Sequence, residues 1–374
     1  MTTDDQAAGH RAHLERLCAE GGPLTAHSRH ATTQNPEWFN VKRQQPRQER
    51  RALHNEILAD FVASRPEVLR NRKAIVLAGP PGAGKSTAQN ALIAATRTRP
   101  ENWLPINPDD FKDELLLKAR EDGSYAGYLI PDEVRELEAA GERFYPRELA
   151  ALVHNESAIL AKKAIRDAID RGDNIIIDGT LSGEKNARAQ LEALQAAGYD
   201  VKVADVETTQ TVSEARILAR WERGYLDAEE GLATGREAEL GGRWVPRSFS
   251  AGLFTTAGAA DSVCAANALW LPPITAASVS TSCTGSRTKT PPPNWSKPKD
   301  APARTERSLT VKPWPPSAPR PRRARPSKED SPPAKTSAGR DVCRRRCGQF
   351  QARRILSTGN ALKEHSAVCI QRRI

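Results

Sequence analysis

Hydrophobic residues along the chain follow two patterns, short apolar runs and longer segments with apolar positions at helical spacing. The short runs, several of them rich in β-branched residues, predict buried strands at 74–78, 103–107, 174–178 and 199–206. Helical spacing predicts helices at 48–69, 86–95, 146–170, 186–197 and 212–223. Strands that alternate with helices are typical of a parallel, doubly wound sheet. We therefore expect an α/β fold in which helices flank a parallel sheet.

The pattern weakens at both ends of the chain. Residues 1 to about 45 are polar and without a clear period, so 1–47 is interpreted as an irregular N-terminal extension. Beyond residue 250 the chain becomes rich in Pro, Ser, Thr and Arg. Such a composition does not bury enough apolar surface to offset the entropy of ordering. The sequence therefore predicts one folded domain at 48–250 and a disordered tail at 251–374.

Charge changes at the same boundary. The net charge of +10 arises in the tail, where 22 Lys and Arg stand against 7 Asp and Glu, whereas residues 1–250 are mildly acidic. Nucleic-acid binding is therefore not expected of the folded part, and only the basic tail is a candidate for it. Two explanations of the tail stay open: a genuine basic segment that binds acidic partners, or a reading-frame shift near residues 250–275 that replaces the original C-terminus.

Cysteine and histidine positions give little sign of disulfides or metal sites. Five of the six cysteines lie in the tail, and the C-x-x-x-C segment at 343–347 has no second pair nearby that would complete a zinc site. The pairs His10/His13 and His27/His30 lie in the polar N-terminal stretch, and we expect them to be solvated. Neither a signal-peptide pattern nor an apolar run long enough to span a membrane is present, which favours a cytoplasmic protein.

The most specific motif is a glycine-rich loop between a predicted strand and a predicted helix. Residues 79–87 read GPPGAGKST, which matches G-x-x-x-x-G-K-[ST] in the strand–loop–helix context that this motif requires. Backbone N–H groups of such a loop and the following helix N-terminus face phosphates. The motif predicts a nucleoside triphosphate site with Mg²⁺, in which Lys85 reaches the phosphates and Ser86 binds the metal. The expected nucleotide contacts are Gly79, Gly82, Gly84, Lys85, Ser86 and Thr87.

Carboxylates follow two of the predicted strands. Asp109 and Asp110 come after the strand at 103–107, at the end of the sheet that faces the ligand crevice. A carboxylate there can accept the proton of an attacking hydroxyl, while an Asp before a helix is also a good N-cap. We assign Asp109 to chemistry and Asp110 to the cap.

Asp178 ends an apolar strand in the Walker-B manner and is expected to contact Mg²⁺. Thr180 beside it is a candidate substrate ligand.

Arginines downstream allow two interpretations. Arg216, Arg220 and Arg223 share one face of the helix at 212–223, and Arg243 follows the flexible pair Gly241–Gly242. By composition alone such residues are more often solvated surface. Phosphoryl transfer, however, needs cationic donors that neutralise the transferring group, often from a mobile lid.

Taken together, these segments resemble the zeta toxin family, the kinase half of epsilon/zeta-type toxin–antitoxin systems. The resemblance extends over roughly residues 50–247 and rests on the order and spacing of six segments, 78–87, 106–112, 154–157, 175–181, 216–222 and 241–246. It implies an ATP-dependent kinase that phosphorylates the sugar 3′-hydroxyl of UDP-N-acetylglucosamine, and it implies an antitoxin as a partner.

The resemblance also implies roles for individual residues. Asp109 matches the catalytic base, and Thr180 matches a substrate-binding threonine. Arg220 and Arg243 match the arginines that hold ATP phosphates and stabilise the transferring phosphoryl group. Glu156 falls in a segment that matches a family helix, and this helix contributes to the sugar-nucleotide pocket. Two other functions stay open: a P-loop kinase for another hydroxyl substrate, such as a nucleoside, an antibiotic or a sugar, and a nucleotide-binding protein impaired in catalysis that acts through interactions.

Overall fold

The computed structural model of the chain describes residues 3–254, 350–356 and 367–373. These residues belong to one of the two units into which the chain divides, 1–274 together with 347–374. The second unit, 275–346, lies outside the described residues. The C-x-x-x-C segment, the Pro-rich stretch and most of the region of the hypothesised frame shift therefore also lie outside them.

The main sheet is mostly parallel, as the sequence predicted, with four parallel strands among its six. Two short strands, β1 and β2, form a separate two-stranded antiparallel sheet. The strands in chain order are β1 (Phe39–Asn40), β2 (Gln45–Pro46), β3 (Lys73–Ala78), β4 (Leu104–Ile106), β5 (Ile175–Asp178) and β6 (Asp200–Glu207). The last four are parallel in the order β4-β5-β3-β6, with Val76 of β3 opposite Ile177 of β5 and Val203 of β6.

Two further strands come from the segment predicted to be a disordered tail. They are β7 (Phe350–Leu356) and β8 (Ala367–Arg373). β8 pairs antiparallel with β6, and β7 pairs antiparallel with β8. These two strands are the parts of the predicted tail beyond residue 254 that the structure describes.

Helices connect and flank the strands. In chain order they are α1 (Thr3–Leu17), α2 (Gln48–Ala63), α3 (Lys85–Ala95), α4 (Pro108–Glu121), α5 (Asp132–Ala139), α6 (His154–Arg171), α7 (Glu184–Ala196), α8 (Gln210–Glu229), α9 (Arg236–Leu240) and α10 (Arg247–Ala251). The helix predicted at 146–170 is in fact a 3₁₀ segment, Pro146–Val153, followed by α6. Within the described part of the chain, no helix is long and apolar enough to cross a membrane.

Both faces of the sheet are covered, which explains why its strands are apolar throughout. Ile75 and Leu77 of β3 point to one face, where they pack with Leu92 and Ile93 of α3. Alternate residues of the same strand, such as Val76, point to the other face and join the larger core. Because successive side chains of a strand alternate between faces, a sheet buried on both sides needs continuous apolar runs.

The expectation of an irregular N-terminal stretch was wrong. Residues Thr3–Leu17 form α1, whose Ala7, Leu14 and Leu17 are buried in the main core. His10 lies on the same face and is completely buried, so the expectation that it is solvated was also wrong. The face contains only three apolar residues over eleven positions, and a histidine interrupts it. The hydrophobic contrast is therefore too weak to reveal the helix from sequence.

Candidate active site

The glycine-rich loop lies at the carboxyl edge of the sheet, directly after β3. Gly79 has a φ of +121°, and a Cβ there would overlap the carbonyl oxygen of Val206 in β6. Only glycine therefore fits where the loop leaves the sheet. The ammonium group of Lys85 donates to the Gly79 carbonyl at 3.0 Å, so the lysine folds back over the loop. Ser86 and Thr87 lie in the first turn of α3 and are exposed, which leaves their hydroxyls open to a ligand.

Helix α8 braces the loop from one side. The Ser213 hydroxyl donates to the Pro81 carbonyl at 2.7 Å, and the Arg216 guanidinium donates to the Gly82 carbonyl at 2.9 Å. These bonds use loop carbonyls and leave loop N–H groups for an anion. Arg216, noted in the sequence only as part of a basic stripe, thus has a defined contact with the nucleotide loop.

Asn107 links the two strand ends that carry the predicted carboxylates. Its side-chain oxygen accepts from the Asp109 backbone N–H at 2.9 Å and caps α4, and its amide nitrogen donates to Asp178 Oδ2 at 3.2 Å. The assignment of the helix cap to Asp110 was therefore wrong. Pro108 occupies the first helical turn, so the cap lies one residue before it, at Asn107. Asp110 is instead exposed in the first turn.

The Asp109 carboxylate is held by two cations. Lys112 lies 2.9 Å from Oδ1, and Arg243 donates to Oδ2 at 2.8 Å. Burial raises the pKa of Asp109, but the charges of Lys112 and Arg243 outweigh burial and hold the pKa well below its usual range. The group is therefore a carboxylate at neutral pH, able to accept a proton. The structure brings Asp109 and Arg243 together although 134 residues separate them.

Asp178 faces the lysine of the loop. Its Oδ1 lies 3.5 Å from the Lys85 ammonium and accepts no hydrogen bond from the residues that the structure describes, although the oxygen is buried. Burial raises the pKa of Asp178, as does the Asp109 charge, while Lys85 acts in the opposite direction. A buried carboxylate oxygen without a donor is suited to a cation. Within the described residues no cluster of three or more His, Cys, Asp or Glu forms a metal cage. Mg²⁺ beside phosphates needs only one or two protein ligands, so Ser86 and Asp178 fit it.

A second carboxylate, Asp113, lies one turn beyond Asp109 on α4. Arg147 donates to both of its oxygens, at 3.1 and 2.8 Å, and Arg243 donates to Oδ2 at 3.2 Å. A third nitrogen of Arg147 donates to the Gly241 carbonyl at 3.2 Å. Nothing in the sequence singled out Asp113 or Arg147, because their pairing joins residues 34 positions apart.

Comparison with known proteins identifies the family of the chain. The zeta toxin family model matches residues 59–116 and 114–269, more than half of the chain. The chain belongs to the zeta toxin family. Zeta toxin family members are kinases, which places the chain among the phosphotransferases. No curated protein matches it.

Solved structures similar to this zeta toxin family member share little sequence with it. A chain of the PezAT chromosomal toxin–antitoxin system of Streptococcus pneumoniae is 19% identical, with 48% of this chain and 67% of that chain covered and a TM-score of 0.35. A chain of the AvrRxo1-ORF1:AvrRxo1-ORF2 complex, solved with sulphate ions and with ATP, is 20% identical with TM-scores of 0.32 and 0.33. The match covers 47% of this chain and 51% of that one, about half its length.

The other residues singled out by the zeta toxin resemblance occupy different surroundings. The side chain of Arg220 is exposed and makes no hydrogen bond or ion pair with any residue that the structure describes. Partial desolvation and the nearby Arg243 charge lower its pKa. Thr180 follows β5, where its carbonyl oxygen accepts from the Gly79 N–H at 3.5 Å and its hydroxyl bonds Ser182. Thr180 is partly exposed just after a strand end, and Arg220 lies close enough to Arg243 and Asp109 for their charges to act on it.

Glu156 does not join the other candidates. It is completely buried near the start of α6, where Arg50 donates to its two oxygens at 2.6 and 2.8 Å and His54 lies 2.6 Å from Oε1. Burial raises the pKa of Glu156, but His54 and Arg50 outweigh it and lower the pKa to about 2. The carboxylate is enclosed by its own partners, so we assign it to the core of this zeta toxin family member.

Proposed function

We propose that the chain is an ATP-dependent kinase of zeta-toxin type that phosphorylates the 3′-hydroxyl of UDP-N-acetylglucosamine. The observation that carries the proposal is the juxtaposition, at one edge of the sheet, of a nucleotide loop, a carboxylate and an arginine. The carboxylate is Asp109 and the arginine Arg243, 2.8 Å apart. A P-loop alone is compatible with many activities, whereas a carboxylate facing it supports transfer to a hydroxyl.

The donor half of the site consists of the loop and the groups around it. Loop N–H groups and Lys85 hold the phosphates of ATP, while Ser86 and Asp178 hold Mg²⁺. When bound, the metal neutralises charge on the β- and γ-phosphates. Arg220, exposed and without an ion pair among the described residues, is available to the phosphates from α8.

The acceptor half depends on Asp109. Its carboxylate accepts the proton of the substrate hydroxyl while that oxygen attacks the γ-phosphorus. The bond between the γ-phosphorus and the bridging oxygen breaks, and ADP leaves with the electron pair. The proton passes from Asp109 to water afterwards. Bound ATP gives Arg243 a second anionic partner. When Arg243 moves away from Asp109 toward the phosphates, the pKa of Asp109 rises from its lowered value toward the range in which a general base is effective.

The test compares two neighbouring carboxylates in the intact chain. With ATP, Mg²⁺ and UDP-N-acetylglucosamine, we expect Asp109→Asn to lower turnover by about 100-fold or more, because a positioned base contributes roughly 10²–10⁴-fold. Asp110→Asn is the matched control: this residue forms no ion pair within the described part of the chain, and we expect most activity to remain. Loss of activity in Asp110→Asn alone would move the base to Asp110.

The same assay separates the other functions. Turnover of ATP with a different hydroxyl acceptor, and none with UDP-N-acetylglucosamine, would assign the site to another small-molecule kinase. Nucleotide binding without transfer to any acceptor would favour an interaction protein. An antitoxin partner is part of the proposal, and a small protein encoded beside this chain that suppresses its toxicity and its turnover would identify it.

A further inference from the structure

Asp113 is among the most enclosed carboxylates of the described residues and lies beside the proposed site. It is 4% exposed and shares α4 with Asp109, one turn further along. Both of its oxygens are engaged by Arg147, and Oδ2 also accepts from Arg243. A buried carboxylate is stable only when cations and donors compensate its desolvation. Two arginines do so here, which fixes the positions of all three groups relative to one another.

Arg147 connects this pair to the loop that carries Arg243. Its third nitrogen donates to the Gly241 carbonyl, two residues before Arg243. The loop itself is tightly packed: a Cβ at Gly241 would overlap Tyr145, and one at Gly242 would overlap the Trp221 carbonyl oxygen. The position of Arg243 is therefore fixed at two points. Arg147 holds the backbone of its loop, and Asp113 holds its side chain.

We propose that Asp113 is the positioning residue for Arg243, with Arg147 as its support. The inference rests on the proposed function, because it concerns how the arginine of that site meets the γ-phosphate. Arg243 bonds Asp109 with one terminal nitrogen and Asp113 with the other. The hydrogen bond between Arg243 and Asp113 remains when the first nitrogen leaves Asp109 for a phosphate oxygen. Asp113 does not touch substrate in this arrangement. It keeps the guanidinium within reach of both the base and the donor.

The experiment measures nucleotide affinity, so it does not depend on the acceptor. Binding of ADP and of a non-hydrolysable ATP analogue, each with Mg²⁺, is compared in the full chain. An arginine that contacts the γ-phosphate strengthens binding of the ATP analogue but not of ADP. The quantity compared is therefore the ratio of the Kd of ADP to the Kd of the analogue. Arg243→Ala should lower this ratio by about tenfold or more. Asp113→Asn should lower the same ratio by about tenfold, with ADP affinity nearly unchanged.

Asp173→Asn is the matched control. Asp173 is also 4% exposed and also pairs with two arginines, at 2.7 Å with Arg171 and 3.4 Å with Arg70. It precedes β5, at the edge of the sheet opposite the nucleotide loop. Loss of a buried ion pair as such affects both aspartate variants, so an altered ratio only in Asp113→Asn supports positioning. Equal ratios in the two variants would overturn the inference.

Two further results complete the test. Arg147→Lys keeps the positive charge on Asp113 but cannot donate to the carboxylate and to the Gly241 carbonyl together. Arg147→Lys should lower the ratio of the two Kd values by several-fold. If Asp113→Asn does not fold, this variant decides whether Asp113 and Arg147 position Arg243. A wild-type ratio in Arg147→Lys would then count against positioning. No change of the ratio in Arg243→Ala would overturn the proposed role of Arg243, and the inference with it.

Discussion

Single carboxylates in this molecule differ in whether their oxygens are already occupied. Glu148 and Glu156 are buried and accept hydrogen bonds only from the protein's own groups. Asp178 has a buried oxygen that accepts none from the residues that the structure describes, and it lies 3.5 Å from the lysine of the nucleotide loop. Because a buried polar atom is normally satisfied, this oxygen indicates a ligand. Burial alone therefore does not separate Asp178 from the structural acids Glu148 and Glu156, whereas the occupancy of their oxygens does.

The contrast yields a prediction for Glu156, which sequence placed in the substrate pocket. Glu156→Gln leaves Arg50 buried, 5% exposed, without its counter-charge. We expect the free energy of unfolding to fall by about 3–5 kcal/mol, the usual effect of breaking a buried pair. The KM for the acceptor should stay unchanged. Urea unfolding and steady-state kinetics of the same preparation measure the two quantities.

The pH dependence of stability gives a second check on Glu156. Its folded-state pKa is lowered to about 2, so the ionised form stabilises the fold above the unfolded pKa of about 4.3. That contribution is lost as pH falls from about 4 toward 2. The difference between wild type and Glu156→Gln should shrink over that interval. Glu49→Gln, an exposed carboxylate on α2, is the control and should change stability by less than about 0.5 kcal/mol. A raised acceptor KM in Glu156→Gln with normal stability would return this residue to the substrate site.

Among the elements, α1 is attached to the domain through a histidine rather than through apolar packing alone. His10 stacks on Tyr225 at 4.6 Å and lies 3.1 Å from Glu142 through Nδ1 and from Glu148 through Nε2. Glu148 also accepts from the Trp221 indole. Burial lowers the pKa of His10, but Glu148 and Glu142 outweigh it and raise the pKa above its usual value.

This attachment predicts that α1 loosens as pH rises. A raised folded-state pKa means that the stabilisation is complete below about pH 6.5 and is lost as pH increases through the folded value. Amide hydrogen exchange of residues 7–17, corrected for intrinsic rates, should show protection at pH 6 that falls by pH 9. His10→Gln should remove roughly 1–3 kcal/mol of protection at pH 6 and abolish the pH dependence.

A neighbouring histidine supplies the control for this prediction. His13 is on the same helix but is a third exposed and reaches Glu142 only at 3.9 Å. His13→Gln should therefore keep the wild-type pH dependence. Protection of α1 that is independent of pH in the wild-type chain would show that apolar contacts alone attach the helix.

Sequence predicted those elements whose signal is local and missed those that depend on distant partners. The strand at 174–178 and the loop at 79–87 each have a pattern that is complete within ten residues. Helix α1 does not, because His10 on its buried face finds its partners Glu142 and Glu148 more than 130 residues away. The 3₁₀ segment Pro146–Val153 is not distinguishable from an α-helix by sequence, because both have similar apolar spacing.

The same distinction applies to the candidate site. Lys85 is given by the loop motif, and an Asn-Pro pair before a helix is a local signal for the N-cap at Asn107. Asp113 and Arg147 had no such signal, since a buried ion pair is recognisable only when both partners are placed. Sequence thus identified the groups proposed to touch ATP and missed those that hold them.

At the scale of the whole molecule, bound ligand and stability are linked through the carboxyl edge of the sheet. Ends of β3, β4 and β5 contribute the loop, Asn107 and Asp178, and α8 braces the loop. A ligand that binds these groups only in the folded state raises the free energy of unfolding by about 2.7 kcal/mol at 100 times its Kd. Thermal unfolding of the intact chain is therefore a readout of the assembled site.

The linkage predicts the part played by Mg²⁺ and Asp178. ATP with Mg²⁺ should raise the melting temperature of the wild-type chain, and a chelator should remove most of the rise. In Asp178→Asn, melting with ATP should become nearly the same with and without the metal, because the amide replaces the one carboxylate placed to hold it. Asp200→Asn, exposed at the opposite edge of the sheet, should keep the metal dependence. If Asp178→Asn kept it too, the metal would be held by Ser86 and phosphate alone, and Asp178 would serve only to pair with Lys85.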